Sequence, residues 1–421
     1  MIKTNQNRAY QNIQYRTMIV IFLTITMVLV AGCGEQAQTS TPVAVTVTPT
    51  LTEVPPTPTV SPVPSPTKEP CIPSGDQTDI NKKLRGPGAI AVLCPGAVFN
   101  LTSSVVINAD RQQIYTEGLP TDDRRAVLRI ASPNLTTAIV MRDYSDVVLS
   151  NVIVDGNRPE LGYKGGDALI YAGGFAKGQV IRSVKIMETR SWSSLHLIQG
   201  HSTAQPCSNA LVEDNEIGPA GSSDTTWADG ISLACMNTIV RNNLIVDATD
   251  GGIVIFGAPG SIIEGNTIRA ETRTLLGGIN MVDFDPYEGD YTGTIVRNNS
   301  IDASGAVIRI GLGMGVRVWG CWPADTDKTL HGGVVEGNTL RGTKMQYGFV
   351  ADGVRDWQVT GNMDDATHSG RPSVDCGGRF ASVPAGFQYY PPRAEGTFQP
   401  EFAKAFLDLA LWAIKSPQPG E

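Results

Sequence analysis

The stretch "VRNNLIVDATDGGIVIFG", residues 240–257, reads as strand, turn, strand. Val240, Leu244 and Val246 alternate with polar residues, Asp250-Gly251-Gly252 breaks the run, and Ile253-Val254-Ile255-Phe256 is apolar. Nothing in it forms a hairpin with itself. Its partners lie in related stretches: "VLSNVIV" (148–154), "VIRSVKI" (180–186), "VEDNEIG" (212–218), "IEGNTIR" (263–269), "VRNNSID" (296–302), "VEGNTLR" (335–341) and "VTGNMDD" (359–365). Each has an aliphatic residue, two variable positions, Asn (Ser183 in one copy) and, after a further variable position, usually an aliphatic. Copies recur every 23 to 39 residues, a period that implies a solenoid or a propeller.

The intervals decide between the two. Each holds one more apolar strand, usually opened by glycine: "GISLA" (230–234), "GIVIF" (252–256), "GINMV" (278–282), "AVIRI" (306–310) and "GFVAD" (348–352). Two or three strands per repeat are too few for a propeller blade and suit a parallel β-helix. Each strand then pairs with its equivalent one coil away, at about 4.8 Å. The recurring Asn215, Asn243, Asn266, Asn299, Asn338 and Asn362 are expected to bond turn backbone and stack on one another, a structural role.

With these repeats on the page, residues from about 77 to 365 resemble the right-handed parallel β-helix superfamily that contains pectate lyases. "DINKKLRGPGAIAVLCPGAVFNLTSSVVI" (79–107) resembles its N-terminal module, a capping helix followed by the first strands. The resemblance implies an all-β solenoid and a surface suited to polysaccharide. It stops at the superfamily, because the pectate lyase and polygalacturonase signatures are missing.

The ends are read separately. Residues 1–33 have Lys3, Arg8 and Arg16 ahead of an apolar run, Met18 to Gly32, that ends in Val30-Ala31-Gly32-Cys33. This resembles a bacterial lipoprotein signal peptide with Cys33 as the acylated residue. Residues 34–70 are Pro/Thr-rich, cannot bury a core, and form a disordered stalk. The β-helix is expected over 71–376, and 377–421 as a C-terminal loop and capping helix. That helix, at 399–414, is amphipathic, with Phe402, Phe406, Leu409 and Ala413 on its buried stripe. The expected location is the cell surface or periplasm, anchored to a lipid membrane through the acylated N-terminus.

Net charge is −8, and cleavage of the three basic residues ahead of Cys33 takes it to −11, which argues against nucleic acid as a partner. Apart from Cys33 there are six cysteines, for which export predicts disulfides pairing Cys71 with Cys94, Cys207 with Cys235 and Cys321 with Cys376. The chain is expected to act as a monomer on a polysaccharide.

Stacking the glycine-led strands places Ile231, Ile253, Ile279 and Ile308 inward. Ile170, His196, Ser232, Val254, Asn280, Arg309 and Val350 then form one outward column. Asp229, Asp250 and Asp283 stand at the ends of these strands, with Arg317, Trp192 and Trp227 near by. Carboxylates, Asn and Arg bond sugar hydroxyls, and aromatic rings cover apolar sugar faces.

A lyase acting on a uronate chain needs the substrate carboxylate neutralised, by Arg309 or Arg317, and a base, His196 or an Arg. No cofactor is required, although calcium on Asp229, Asp250 or Asp283 is an alternative neutraliser. A glycosidase needs two carboxylates, Asp229 and Asp250. The expected function is a lyase or glycosidase on an acidic glycan, with a non-catalytic carbohydrate- or wall-binding module as the alternative. Asp-Gly is also ordinary turn chemistry, so neither Asp decides this alone.

Overall fold

The chain is described from a computed structural model, over residues 70–199, 206–222, 226–282, 287–319, 329–369, 386–389 and 391–402. It winds as a right-handed parallel β-helix with three strands per coil, stacked in three long parallel sheets. The opening stretch supplies one strand to each. Ile239–Arg241 lies in sheet A between Leu211–Glu213 and Ile262–Glu264. Leu244–Val246 lies in sheet B between Glu216–Ile217 and Thr267–Arg269. Gly251–Phe256 lies in sheet C between Asp229–Leu233 and Leu275–Val282.

Each sheet sends one column of apolar residues inward. Val212, Val240, Ile263 and Val296 stack from sheet A, Ile217, Ile245, Ile268 and Ile301 from sheet B, and Ile231, Ile253, Ile279 and Leu312 from sheet C. All are buried. Burying one such side chain contributes roughly 1.5–3 kcal/mol, and like stacks on like, so the core is one continuous column.

The turn between sheets A and B carries the asparagine ladder. Nδ2 of Asn215, Asn243, Asn266, Asn299 and Asn338 each donates to Oδ1 of the next Asn at 2.8–2.9 Å. The same Nδ2 bonds a carbonyl of the coil below, for example Val240 O from Asn266 at 3.0 Å. The structural reading of these residues holds. Gln399 closes the ladder, taking both the backbone N–H and Nδ2 of Asn362 at 3.0 and 3.1 Å. The residue before each ladder Asn is left-handed, with φ 55° at Asn242 and 63° at Gly265, which explains the Asn, Asp or Gly found there.

The repeat alignment needs one correction. Ile181 pairs with Val212, so the copies at 148 and 180 are out of step by one residue. Ser183, at φ 55°, takes the left-handed position, and Val184 occupies the ladder level. The ladder therefore begins at Asn215, whose Oδ1 accepts the Val184 N–H at 3.0 Å.

Sheet A carries a second ladder on its outer face, where Arg182, Glu213, Arg241, Glu264, Arg297 and Glu336 stack in register with alternating sign. Arg241 lies 2.6 Å from Glu213 and Arg297 2.8 Å from Glu264.

Helix α1, Gln77–Lys83, closes the N-terminal end. Asp76 caps it by accepting the Thr78 N–H at 2.6 Å, and Ile80 is fully buried. The disulfides Cys71–Cys94 and Cys207–Cys235 are formed. After Asp155 the chain turns at Gly156-Asn157, with Asn157 left-handed at φ 53°, into a short helix, Arg158–Leu161. At the other end the chain turns helical at 400–402, and Phe402 packs against Phe387, Tyr389 and Phe398. The signal, Cys33, the stalk up to residue 69, Asp283, Cys321, Cys376 and residues 403–421 lie outside the described residues.

Candidate functional site on the outer face of sheet C

A glycine column shapes this face. Gly230, Gly252, Gly278, Gly311 and Gly348 stack in register, and each precedes an inward residue. A Cβ on Gly230 would lie 2.5 Å from Gly252 O and 2.8 Å from Ile245 Cγ2 in the core. At these positions two successive residues face inward, and strict strand alternation fails. Outward side chains are then three residues apart, which brings Asp229 and Ser232 together. Ser232 Oγ donates to Asp229 Oδ2 at 2.7 Å, and the Gly251 N–H donates to Oδ1 at 3.0 Å. The expected place for Asp229, on the rim, becomes a place inside the face.

The outward column also differs from the expected one at both ends. His196, Ser232, Val254 and Asn280 are consecutive, as expected. His196 pairs with Tyr171 rather than Ile170, and Asn280 pairs with Gly313 rather than Arg309. "VIRIG" begins its strand four residues earlier relative to "GINMV" than its apolar pattern suggests. Arg309 therefore falls level with Leu276 and Asp250. Its guanidinium reaches to 5.7 Å from the Trp227 ring, across the coils that carry Asp250 and Leu276. Arg317 sits partly buried in the 3-10 turn Val316–Trp319, beyond the far end of the same strand. Val318 of that turn packs on Ile310, Tyr347 and Val350, so the later coils have an apolar outer cover. The carboxyls, His196 and Asn280 all lie in the coils between Tyr171 and Asn280, with Arg309 reaching back toward them from the next coil.

Two carboxyls dominate it. Asp229 is buried and Asp250 partly buried, one coil on and one residue back along the strand. Burial raises the pKa of Asp229 well above the usual carboxylate range, the charge of Asp250 raises it further, and the bonds from Ser232 and Gly251 oppose the shift. Burial pushes Asp250 up to about 6. Asp229, the more deeply buried of the two, is the carboxyl that holds its proton to higher pH, and Asp250 is the first to ionise.

A chain of hydroxyls accommodates both states. Ser193 Oγ and Ser232 Oγ are 2.8 Å apart, and Ser193 also reaches Leu195 O at 3.2 Å. With Asp229 ionised, Ser193 donates to Ser232 and Ser232 to Asp229. With Asp229 protonated, Asp229 donates to Ser232, Ser232 donates to Ser193, and Ser193 donates to Leu195 O. A Cβ on Gly251 would run into Val254 Cγ2 and stand 2.9 Å from Asn280 Nδ2 and 3.4 Å from Asp229 Oδ1, so glycine here lets Val254 pack between Asp229 and Asn280.

His196 was expected to be a base on an open surface. It is 9 % exposed, with Trp192 packed edge-on at a 4.7 Å ring separation, and burial lowers its pKa to about 3. The imidazole is neutral at physiological pH and a weak base. Its Nδ1, like Oδ1 of Asn280, is buried with no hydrogen-bond partner among the described residues. Such groups cost about 1–3 kcal/mol each unless a ligand satisfies them. Of the three carboxylates named for calcium, Asp283 lies outside the described residues, and among the described residues no group of three or more His, Cys, Asp or Glu is placed to hold a metal.

The raised pKa values fix a sign. A carboxyl whose folded pKa exceeds its unfolded value stabilises the fold fully below about pH 4, and loses that contribution as pH rises through about 6. Asp250→Asn is therefore expected to unfold at a higher temperature than the parent protein above pH 6. The difference should be worth at most about 3 kcal/mol and should shrink toward zero near pH 4. Thermal scans of both proteins from pH 4 to 8 test this; a difference constant over that range refutes the shift.

Residues 176–362 match the family model described as right handed beta helix region. The match covers the ladder and the carboxyl pair. No curated protein matches the sequence. Among solved structures the chain is similar to PfbA, a surface adhesin of Streptococcus pneumoniae, at 10% identity and TM-score 0.43, covering 69% of this chain and 85% of that one. It is similar to the A-module of a mannuronan C-5 epimerase of Azotobacter vinelandii at 13% identity and TM-score 0.38, covering 77% and 94%. It is also similar to a hyperthermoactive exopolygalacturonase of Thermotoga maritima at 12% identity and TM-score 0.40, covering 72% and 92%. These likenesses concern the winding of the chain and carry nothing about chemistry.

No helix among the described residues is long and apolar enough to cross a membrane.

Proposed function

We propose that this protein hydrolyses a polysaccharide in the groove on the outer face of sheet C, with Asp229 as general acid and Asp250 as general base. The observation that carries the reading is a pair of carboxyls in adjacent coils, Asp229 held by Ser232 and Gly251 and Asp250 one residue back, both with pKa values raised by burial. Asp229 gives its proton to the glycosidic oxygen as the C–O bond breaks. Asp250 takes a proton from the water that forms the new C–O bond. The hydroxyl chain through Ser232 and Ser193 re-orients as Asp229 changes charge. A lyase on a uronate chain has less support, since His196 is a poor base and Arg309 is not level with Asn280.

Incubating the purified protein with a panel of polysaccharides tests the reading. New reducing ends without the absorbance of unsaturated products support hydrolysis. Unsaturated products instead would establish a lyase. Retention without any cleavage would leave a binding module, which the partly exposed Trp192 packed on His196 favours.

The tether belongs to the same proposal, on sequence grounds alone. Cys33 carries the lipid and residues 34–70 hold the β-helix away from the membrane. Cys33→Ala is expected to release the protein from the membrane fraction, or to stall its processing. An unlipidated variant that stays firmly bound would refute the anchor.

A further inference from the structure

An aromatic patch adjoins the carboxyl pair and lies outside the column that sequence pointed to. Tyr171 stands beside His196, one coil from it and two coils from Ser232, or ~10 Å from the level of the hydroxyl chain. Arg142 lies over the Tyr171 ring at 5.4 Å, and its Nη1 donates to Tyr171 Oη at 3.3 Å. The next residue, Asp143, is left-handed at φ 72°, which turns its carboxylate back toward Arg142. Arg142 Nε and Asp143 Oδ2 are 2.9 Å apart. They are misaligned for a hydrogen bond, so that N–H has no partner. Asp143 Oδ1 accepts the Phe175 N–H at 3.1 Å, and the Phe175 ring is 40 % exposed. Trp192, 37 % exposed, lies on the other side of His196.

We propose that Arg142, Asp143, Tyr171 and Phe175 form a sugar-binding subsite of the same face, and that it takes a neutral pyranose rather than a uronate. The proposal rests on the glycan reading above and names its substrate class. Adjacent ring hydroxyls each donate and accept, so one can give to Asp143 Oδ2 while another receives from Arg142. Phe175, 40 % exposed, offers a face to the apolar side of the ring. The charge balance decides against an acidic sugar. Arg142 already faces Asp143, Asp167 is close enough to bear on Tyr171, and the carboxyl pair adds a further negative charge two coils on. A chain of uronates would meet net repulsion here.

The test is calorimetric binding of neutral hexasaccharides (glucose-, mannose- and galactose-based) and of hexagalacturonate to the full-length protein. At least one neutral ligand is expected to bind at least about tenfold more tightly than the uronate. Arg142→Met and Phe175→Ala should each weaken it by about tenfold with unchanged thermal unfolding. Tyr171→Phe, which keeps the ring and removes only the bond to Arg142, should weaken it less. Tighter binding of the uronate, binding of neither class, or neutral binding indifferent to both Arg142→Met and Phe175→Ala would overturn the subsite. Asp250→Asn separates the two proposals. It should retain binding while losing turnover, so a protein that binds through Arg142 but never cleaves would sink the hydrolase and leave the subsite standing.

Discussion

Asp250→Asn is expected to lower turnover by about 10²–10⁴-fold while leaving glycan binding and the fold in place. The amide has the shape of the carboxylate and cannot take a proton from water. Its loss therefore falls on the rate and not on affinity. In the parent protein Asp250 must be ionised to act, so activity should fall as pH drops through about 6. Asp229→Asn should also suppress turnover, since an amide has no acidic proton to give. It further leaves Ser232 facing a group that both donates and accepts. The measurement is the pH–rate profile of the three proteins on whichever polysaccharide the panel identifies. An unchanged rate in Asp250→Asn, with cleavage still present, would move the chemistry off this face.

Asn266→Ala is expected to be the most damaging single change to stability, at about 3–5 kcal/mol. Asn266 Oδ1 accepts both the backbone N–H and Nδ2 of Asn243 at 3.0 and 2.9 Å, and its Nδ2 supplies Val240 O. Alanine removes these three buried bonds, leaving Asn243 Nδ2 with Val212 O alone, in a turn where the side chains are buried. Arg241→Ala, on the charge ladder of sheet A, should cost about 1–3 kcal/mol, less than Asn266→Ala, because it leaves the Glu213 side chain, 8 % exposed, with Arg182 at 3.5 Å as its remaining cation. Chemical denaturation of the two variants gives the comparison. Equal small losses would mean that the asparagine ladder is decoration.

The aliphatic-x-x-Asn repeat and the glycine-led strands between copies dictate a solenoid of short parallel strands, because apolar columns and buried amides at one turn satisfy no other stacking. The role of Asn215 to Asn362 and two disulfide pairs were legible for the same reason: they follow from spacing along one repeating axis. His196, Ser232, Val254 and Asn280 were legible as a column because their strands are homologous in length and phase. Arg309 was not, since an alternating apolar pattern looks alike after a shift of two or four residues, and only pairing with Leu275–Val282 sets the phase. Likewise, the shift of one residue at Val148 and Val180 hid behind Asn151 and Ser183, which mimic the ladder residue while occupying the turn position before it.

The candidate site depended more on three-dimensional packing. Residues Asp229 and Ser232, three apart, share a face only because Gly230 yields its place to the next coil's carbonyl, which no alternation rule anticipates. Arg142 and Tyr171 lie 29 residues apart in chains of unlike sequence and meet only when the coils stack. Sequence by itself determined the winding, since a repeat is local information summed along the chain. Tertiary structure alone decided which charges sit side by side and which carboxyl is the first to ionise, because burial and distance are properties of the stacked coils and not of any one of them.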